Sequence, residues 1–100
     1  MAVTKLLIHA PTIEALKRAQ NNAGNLLVLE ENAIIEIVVN GPAVAAAVAI
    51  VDTSILPLLV LCRNSLTGRQ LDPPAAVKVV PAAVQYLAQQ QALGWAYIRA

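Results

Sequence analysis

Short apolar runs alternate with longer amphipathic segments along most of the chain. The apolar runs are rich in Val, Ile and Leu and are bounded by proline, glycine or asparagine, which indicates buried β-strands. We predict five strands, over residues 5–10, 33–39, 55–62, 77–80 and 95–99. Near-continuous apolar strands separated by helices are typical of a parallel sheet with helices on both faces, so the pattern predicts an α/β fold.

The first intervening segment has the spacing of an amphipathic helix. Thr12 is placed to cap it, and the stripe at helical spacing comprises Ile13, Leu16, Gln20, Ala23 and Leu27. Gly24 weakens a helix by roughly 1 kcal/mol relative to alanine. We nevertheless expect the helix to continue to about residue 29, because Leu26, Leu27 and Leu29 need a buried face.

Three more helical segments follow. Residues 42–51 are nearly all Ala and Val, and a helix with no polar face must be covered on all sides. Residues 63–71 predict one or two irregular helical turns. Pro81 suits the first position of a last helix, which runs to about Leu93 and ends at Gly94. Its predicted inward stripe comprises Val84, Leu87, Ala88 and Gln91.

The amino-acid composition predicts that the chain associates with further copies of itself. The chain has 100 residues, of which 58% are hydrophobic and only 13% are charged. A chain of this size buries only about two-thirds of its unfolded surface when it folds alone. The apolar excess therefore predicts a homo-oligomer, with residues 42–51 as the first candidate for the contact. The length predicts a single domain over residues 1–100.

Charge and targeting signals exclude several classes of protein. Seven basic and six acidic residues give a net charge of +1 with no cluster, so we expect no nucleic-acid partner. The most apolar stretch, residues 43–61, is interrupted by Asp52 and Pro57, so we expect no membrane span. The first residues lack the pattern of a signal peptide. A single cysteine cannot form an internal disulfide, which favours a cytoplasmic location.

Candidate chemistry follows the ends of the predicted strands, where ligands bind in open parallel sheets. His9 follows the first strand and Asn40-Gly41 follows the second. No second histidine, phosphate-binding glycine loop or nucleophile-elbow serine is present, so we expect no metal and no cofactor.

Cys62 ends the third strand and is the candidate nucleophile. The adjacent Arg63 and the start of a helical turn both favour a thiolate. Asn64 and Ser65 can donate hydrogen bonds to a sulfur anion, or they can simply cap the helix.

Each of these residues also has a purely structural interpretation. A lone cysteine at the end of an apolar strand is more often an inert buried residue. Asn40-Gly41-Pro42 is first of all a turn. The aromatic residues Trp95, Tyr97 and Tyr86 are more typical of a core or a subunit interface than of a ligand site.

Three segments in order carry a resemblance to a known family. They are Asn40-Gly41-Pro42-Ala43, Val60-Leu61-Cys62-Arg63-Asn64-Ser65-Leu66, and a tail that runs from Val79-Val80-Pro81 to Gly94-Trp95-Ala96-Tyr97-Ile98. In this order and spacing they resemble the DsrE/DsrF-like (YchN-like) family, although members often carry histidine where Asn40 stands. The resemblance covers essentially the whole chain.

The resemblance implies a fold and a function. It implies a five-stranded parallel sheet in a three-layer α/β/α sandwich, assembled as a homotrimer or hexamer. It also implies an intracellular sulfur relay, in which Cys62 carries sulfur as a persulfide between a donor and an acceptor protein. The alternative is a non-catalytic oligomeric module that binds a small ligand or a protein. A third possibility is a structural subunit of a larger complex.

Overall fold

Strands and helices alternate along residues 2–100, which are the residues that the structure, a computed structural model, describes. The elements are β1 (Lys5–Ala10), α1 (Ile13–Leu29), β2 (Ile34–Val39), α2 (Ala43–Ala47), a 3₁₀ turn (Leu56–Leu58), β3 (Leu59–Cys62), α3 (Arg63–Gly68), β4 (Lys78–Val80), α4 (Ala83–Ala92) and β5 (Ala96–Arg99). The order predicted from the sequence is confirmed.

The five strands form one parallel sheet in the order β4-β3-β2-β1-β5. From β1 to β4 each strand is added on the same side of its predecessor, whereas the connection through α4 returns across the sheet to β5. Because such crossovers are right-handed, α1, α2 and α3 lie on one face and α4 lies on the other. The α/β fold with a five-stranded parallel sheet flanked by helices is therefore confirmed.

Two apolar cores fill the space between these layers, because successive side chains of a strand point to opposite faces. In β1, Ile8 joins the larger core under α1, α2 and α3, and its neighbour Leu7 joins the smaller core under α4. Cys62 belongs to the smaller core. The candidate chemistry therefore lies on the α4 side of the carboxyl edge, the end of the sheet at which all five strands finish.

Helix α1 runs to Leu29 as predicted, but the expectation that Leu29 is buried was wrong. The Thr12 side chain accepts a hydrogen bond from the Ala15 N–H at 3.0 Å and so caps the helix. Leu29 is 82% exposed, and Ile13 is exposed at the other end. A helix of 17 residues is about 25 Å long, whereas the six-residue strands span about 20 Å, so the ends of α1 project beyond the sheet.

The predicted helix over residues 42–51 is much shorter than expected. Helix α2 covers only Ala43–Ala47, and its exposed residue Ala45 shows that it is not covered on all sides. The residues that follow, Val48, Ile50 and Val51, include β-branched side chains that lose rotamer freedom in a helix. The third strand also begins late, at Leu59, because residues 56–58 form a 3₁₀ turn around Pro57, which has no N–H for a sheet.

Helix α4 buries Leu87 as predicted, but the other three residues of the predicted stripe, Val84, Ala88 and Gln91, are exposed. It begins at Ala83, and its buried residues are Ala83 and Leu87, whereas Val84 is 78% exposed. The Tyr86 hydroxyl on the inner side donates a hydrogen bond to the Glu36 carboxylate on β2. Lys78 on β4 donates to the same hydroxyl at 2.9 Å. These polar contacts select the inner face of the helix.

Candidate functional site

The carboxyl edge of the sheet brings the predicted residues together on its α4 side. His9 lies near the end of β1, Asn40 directly follows β2 and Cys62 ends β3. By strand alternation these three share the face of Leu7, Val38 and Val60, which pack in the smaller core. The prediction that they share one edge of a parallel sheet follows from the observed topology.

His9 is held by two side chains from neighbouring segments. Its Nε2 lies 2.9 Å from Asn40 Oδ1, and its Nδ1 lies 2.8 Å from the hydroxyl oxygen of Tyr97 on β5. An amide oxygen can only accept, so Nε2 donates to Asn40, and in that tautomer Nδ1 accepts a hydrogen bond from the Tyr97 hydroxyl. The three side chains therefore form one hydrogen-bonded row, Asn40–His9–Tyr97.

The turn after β2 joins this row to the cysteine region. Gly41 has a φ of +60°, and a Cβ on it would lie 3.2 Å from the Pro11 carbonyl oxygen, so only glycine fits there without strain. Its N–H donates a hydrogen bond of 2.8 Å to the hydroxyl of Ser65 on α3. Consecutive residues of one turn thus contact the histidine and the serine next to Cys62.

The Cys62 thiol is covered but lies near hydrogen-bond donors. The residue is 5% exposed, and the backbone N–H of Ala83, at the start of α4, donates to its sulfur at 3.4 Å. Cys62 is also the N-cap residue of α3, and the Asn64 and Ser65 N–H groups of that helix lie near enough to its sulfur to favour the thiolate without making a capping hydrogen bond. The thiol therefore sits between the first turns of two helices.

These surroundings change the acidity of the thiol. Burial acts to raise the pKa of Cys62, but the backbone N–H groups of Ser65 and Ala83, the Ser65 hydroxyl and the Asn64 N–H all favour the thiolate. The net result is a pKa below the ordinary value for cysteine. Since the lowered pKa comes from oriented dipoles, it depends on how α3 and α4 are placed.

The roles expected of the Arg63 and Asn64 side chains are not seen among the groups that affect the Cys62 thiol. Both residues are exposed on the first turn of α3. The Arg63 guanidinium is not among the groups that lower the Cys62 pKa, and Asn64 contributes through its backbone N–H. A role for either side chain in holding a sulfur anion stays a prediction.

Two participants were not identified as site residues from the sequence. Tyr97 reaches His9 because β5 pairs with β1, with Leu7 opposite Tyr97 in the register. No local pattern indicates that the last strand lies beside the first. Ala83 contributes only a backbone N–H, which depends on where α4 begins.

Two further observations concern metal ligands and membrane spans. Within residues 2–100, no three His, Cys, Asp or Glu side chains come together in a way that could bind a metal ion. In the same range, no helix is long and apolar enough to cross a membrane.

Comparisons with known proteins support the fold but indicate no function. No protein-family model matches the sequence, and no curated protein matches it. Among solved structures, the chain is similar to MTH1491, a protein of unknown function from Methanobacterium thermoautotrophicum. The TM-score is 0.70 and the identity 21%, over 97% of this chain and 99% of that chain. This similarity shows a shared five-stranded parallel α/β fold and gives no family assignment.

Proposed function

We propose that this protein is a small oligomeric sulfur-relay protein in which Cys62 is the persulfide carrier. The observation that carries the proposal is the lowered pKa of a thiol placed at the carboxyl edge of a parallel sheet. A thiolate is the reactive form of cysteine, and a lowered pKa increases its population at neutral pH.

The transfer step needs no oxidant or reductant. The Cys62 thiolate attacks the outer sulfur of a donor persulfide, the S–S bond of the donor breaks, and the donor leaves as a thiolate while a new S–S bond forms on Cys62. An acceptor thiolate then attacks the outer sulfur on Cys62, which releases the original thiolate. Because Cys62 is the only cysteine in the chain, the donor and the acceptor are other molecules or other subunits.

The hydrogen-bond donors around Cys62 assist both the loading of sulfur and its release. The N–H of Ala83 and the Ser65 hydroxyl favour negative charge on the sulfur of Cys62, which is the leaving group in the second step. Since a thiol with a lower pKa leaves faster, the same groups assist loading and release. A reducing, cytoplasmic setting is part of this proposal, because the thiol must remain free.

The burial of Cys62 favours a second candidate function. A thiol that is 5% exposed requires the first turn of α4 to move before a partner can reach it. If α4 stays closed, the Asn40–His9–Tyr97 row is the better candidate for contact with a ligand, and the chain is a non-catalytic oligomeric binding module.

Incubation with glutathione persulfide, followed by mass spectrometry of the protein, separates the two functions. The sulfur-relay proposal predicts one added sulfur atom on Cys62 at neutral pH and none on the Cys62→Ser variant. If the thiol takes up no sulfur and resists alkylation in the native state, the binding-module function replaces the relay.

A further inference from the structure

The two edges of the sheet differ in how open they are to a further strand. At one edge, β4 has three residues, and Pro81, which has no N–H, follows it directly. Its first residue, Lys78, is bound to Tyr86 and Glu36. Short length, proline and charge are the features that protect an edge from pairing.

At the other edge, β5 is only one residue longer and carries Arg99, but it contains no proline and its first three residues are uncharged. All four of its residues are exposed, since α1 and α4 pack over the centre of the sheet. Tyr97 and Ile98 are each 40% exposed, and one lies on each face of the strand. An exposed edge strand with apolar side chains on both faces is a template for pairing with another chain.

The backbone register shows which groups are free at this edge. The Ala100 N–H donates to the His9 carbonyl of β1 at 2.9 Å, and Arg99 is the register partner of His9. In a parallel pair the backbone groups alternate along the strand, so Ala96, Ile98 and Ala100 turn theirs toward β1. Tyr97 and Arg99 turn their N–H and C=O groups away from the sheet.

The outward-facing backbone groups and the side chains of β5 are complementary to those of β5 in a second copy. If two copies pair antiparallel about a twofold axis through Ile98, Tyr97 of each strand stands opposite Arg99 of the other, and each such pair exchanges two hydrogen bonds. The guanidinium of Arg99 then lies beside the ring of Tyr97 on the shared α4 face, a favourable cation–π pairing. Ile98 meets its own copy on the opposite face, and no like charges stand opposite each other.

We propose that two copies of this chain associate through β5, joining their two sheets into one continuous sheet. The proposal specifies the contact of the oligomer and does not depend on the chemistry of Cys62. It places the contact at β5 rather than at residues 42–51, because Ala43, Val44 and Ala47 of α2 are already buried within the chain. A twofold contact is compatible with a dimer or a hexamer and excludes a closed trimer as the whole assembly.

Oxidative cross-linking tests this contact and its register. In a non-hydrogen-bonded antiparallel pair the two Cα atoms lie about 4.5 Å apart, within the range that a disulfide needs. In the Cys62→Ser background, Ile98→Cys should therefore form a covalent dimer on mild oxidation. Ala96→Cys is the matched control, because the two copies of residue 96 would be about 13 Å apart along the strands. Circular dichroism checks that both variants are folded.

Light scattering of the unmodified chain completes the experiment. We expect a concentration-dependent assembly built from dimers, together with selective cross-linking at position 98. An oligomer without cross-linking at position 98, or with equal cross-linking at position 96, would overturn the β5 contact while leaving oligomerisation in place. A monomer at all concentrations would overturn both.

Discussion

Ser65 is the side chain that most directly connects the turn after β2 to the sulfur of Cys62. Its hydroxyl oxygen accepts the Gly41 N–H, so the hydroxyl hydrogen is free to favour the thiolate. We expect Ser65→Ala to raise the pKa of Cys62 toward the ordinary value. Ultraviolet absorbance of the thiolate against pH measures the change. Asn64→Ala is the comparison: an unchanged pKa would show that Asn64 acts through its backbone N–H alone, and a raised pKa would assign a role to its side chain.

The lowered pKa of Cys62 also predicts how stability depends on pH. In the unfolded chain the thiol has its ordinary pKa of about 8.5, and in the folded chain the pKa is lower. Between these two values the unfolded state binds more protons, so the free energy of unfolding rises with pH and then levels off above the ordinary value. Urea unfolding across this pH range should show the rise, and Cys62→Ser should abolish it. A rise that persists in the serine variant would assign it to another group.

Gly41 is the residue at which backbone conformation controls the site. Gly41→Ala adds a Cβ at a φ of +60° and 3.2 Å from the Pro11 carbonyl oxygen. We expect a loss of about 1–2 kcal/mol in the free energy of unfolding, measured by urea denaturation. Gly24→Ala provides the contrast, since nothing lies within 4 Å of its added Cβ in the middle of α1. That variant should gain about 0.5–1 kcal/mol, and a loss there would contradict the helix geometry.

At the scale of elements, α4 is placed by a polar cluster as well as by its apolar face. The Tyr86 hydroxyl contacts both the Glu36 carboxylate and the Lys78 ammonium, and burial is the main cause that raises the pKa of Tyr86. We expect Tyr86→Phe to lower the free energy of unfolding by about 1–3 kcal/mol, because both hydrogen bonds of this hydroxyl are made to charged groups. Because α4 carries the Ala83 N–H, the same variant should also raise the pKa of Cys62. An unchanged thiol pKa would show that α4 is positioned without Tyr86.

The order and type of the elements could be predicted because their sequence patterns are local. The Lys5–Ala10 strand, the Thr12 cap and the stop at Gly94 are each encoded by a few adjacent residues. Only Leu87 of the buried face of α4 could be predicted, because the contact that Tyr86 makes with the sheet depends on Glu36, far away in the sequence. The length of α2 was overestimated because an apolar run alone does not distinguish helix from turn.

Part of the candidate site could also be predicted from local sequence patterns, and part of it depends on contacts between distant segments. His9, Asn40 and Cys62 could be assigned to one edge because all parallel strands end on the same side of a sheet. The Asn40–His9–Tyr97 row could not be foreseen, since it requires β5 to lie beside β1. The burial of Cys62 depends on where α4 begins, which is a property of the packed molecule.

At the scale of the whole molecule, the apolar excess of the sequence is only partly absorbed by the two cores. Large hydrophobic side chains such as Val51, Val84 and Leu93 remain exposed in the single chain. Scattered exposed residues need no explanation, but an open edge strand with exposed Tyr97 and Ile98 does. Burial of this edge against a second copy accounts for part of the excess and takes place three strands away from Cys62 on β3.

The most direct test of the central claim is a complete cycle of sulfur loading and release on Cys62. The protein is loaded from a persulfide that carries heavy-isotope sulfur, freed of the donor, and mixed with an excess of an acceptor thiol. We predict that the labelled sulfur first appears on Cys62 and then leaves quantitatively to the acceptor, with the native fold retained throughout. A protein that takes up no label, or that releases it only when unfolded, would contradict the assignment of Cys62 as a persulfide carrier.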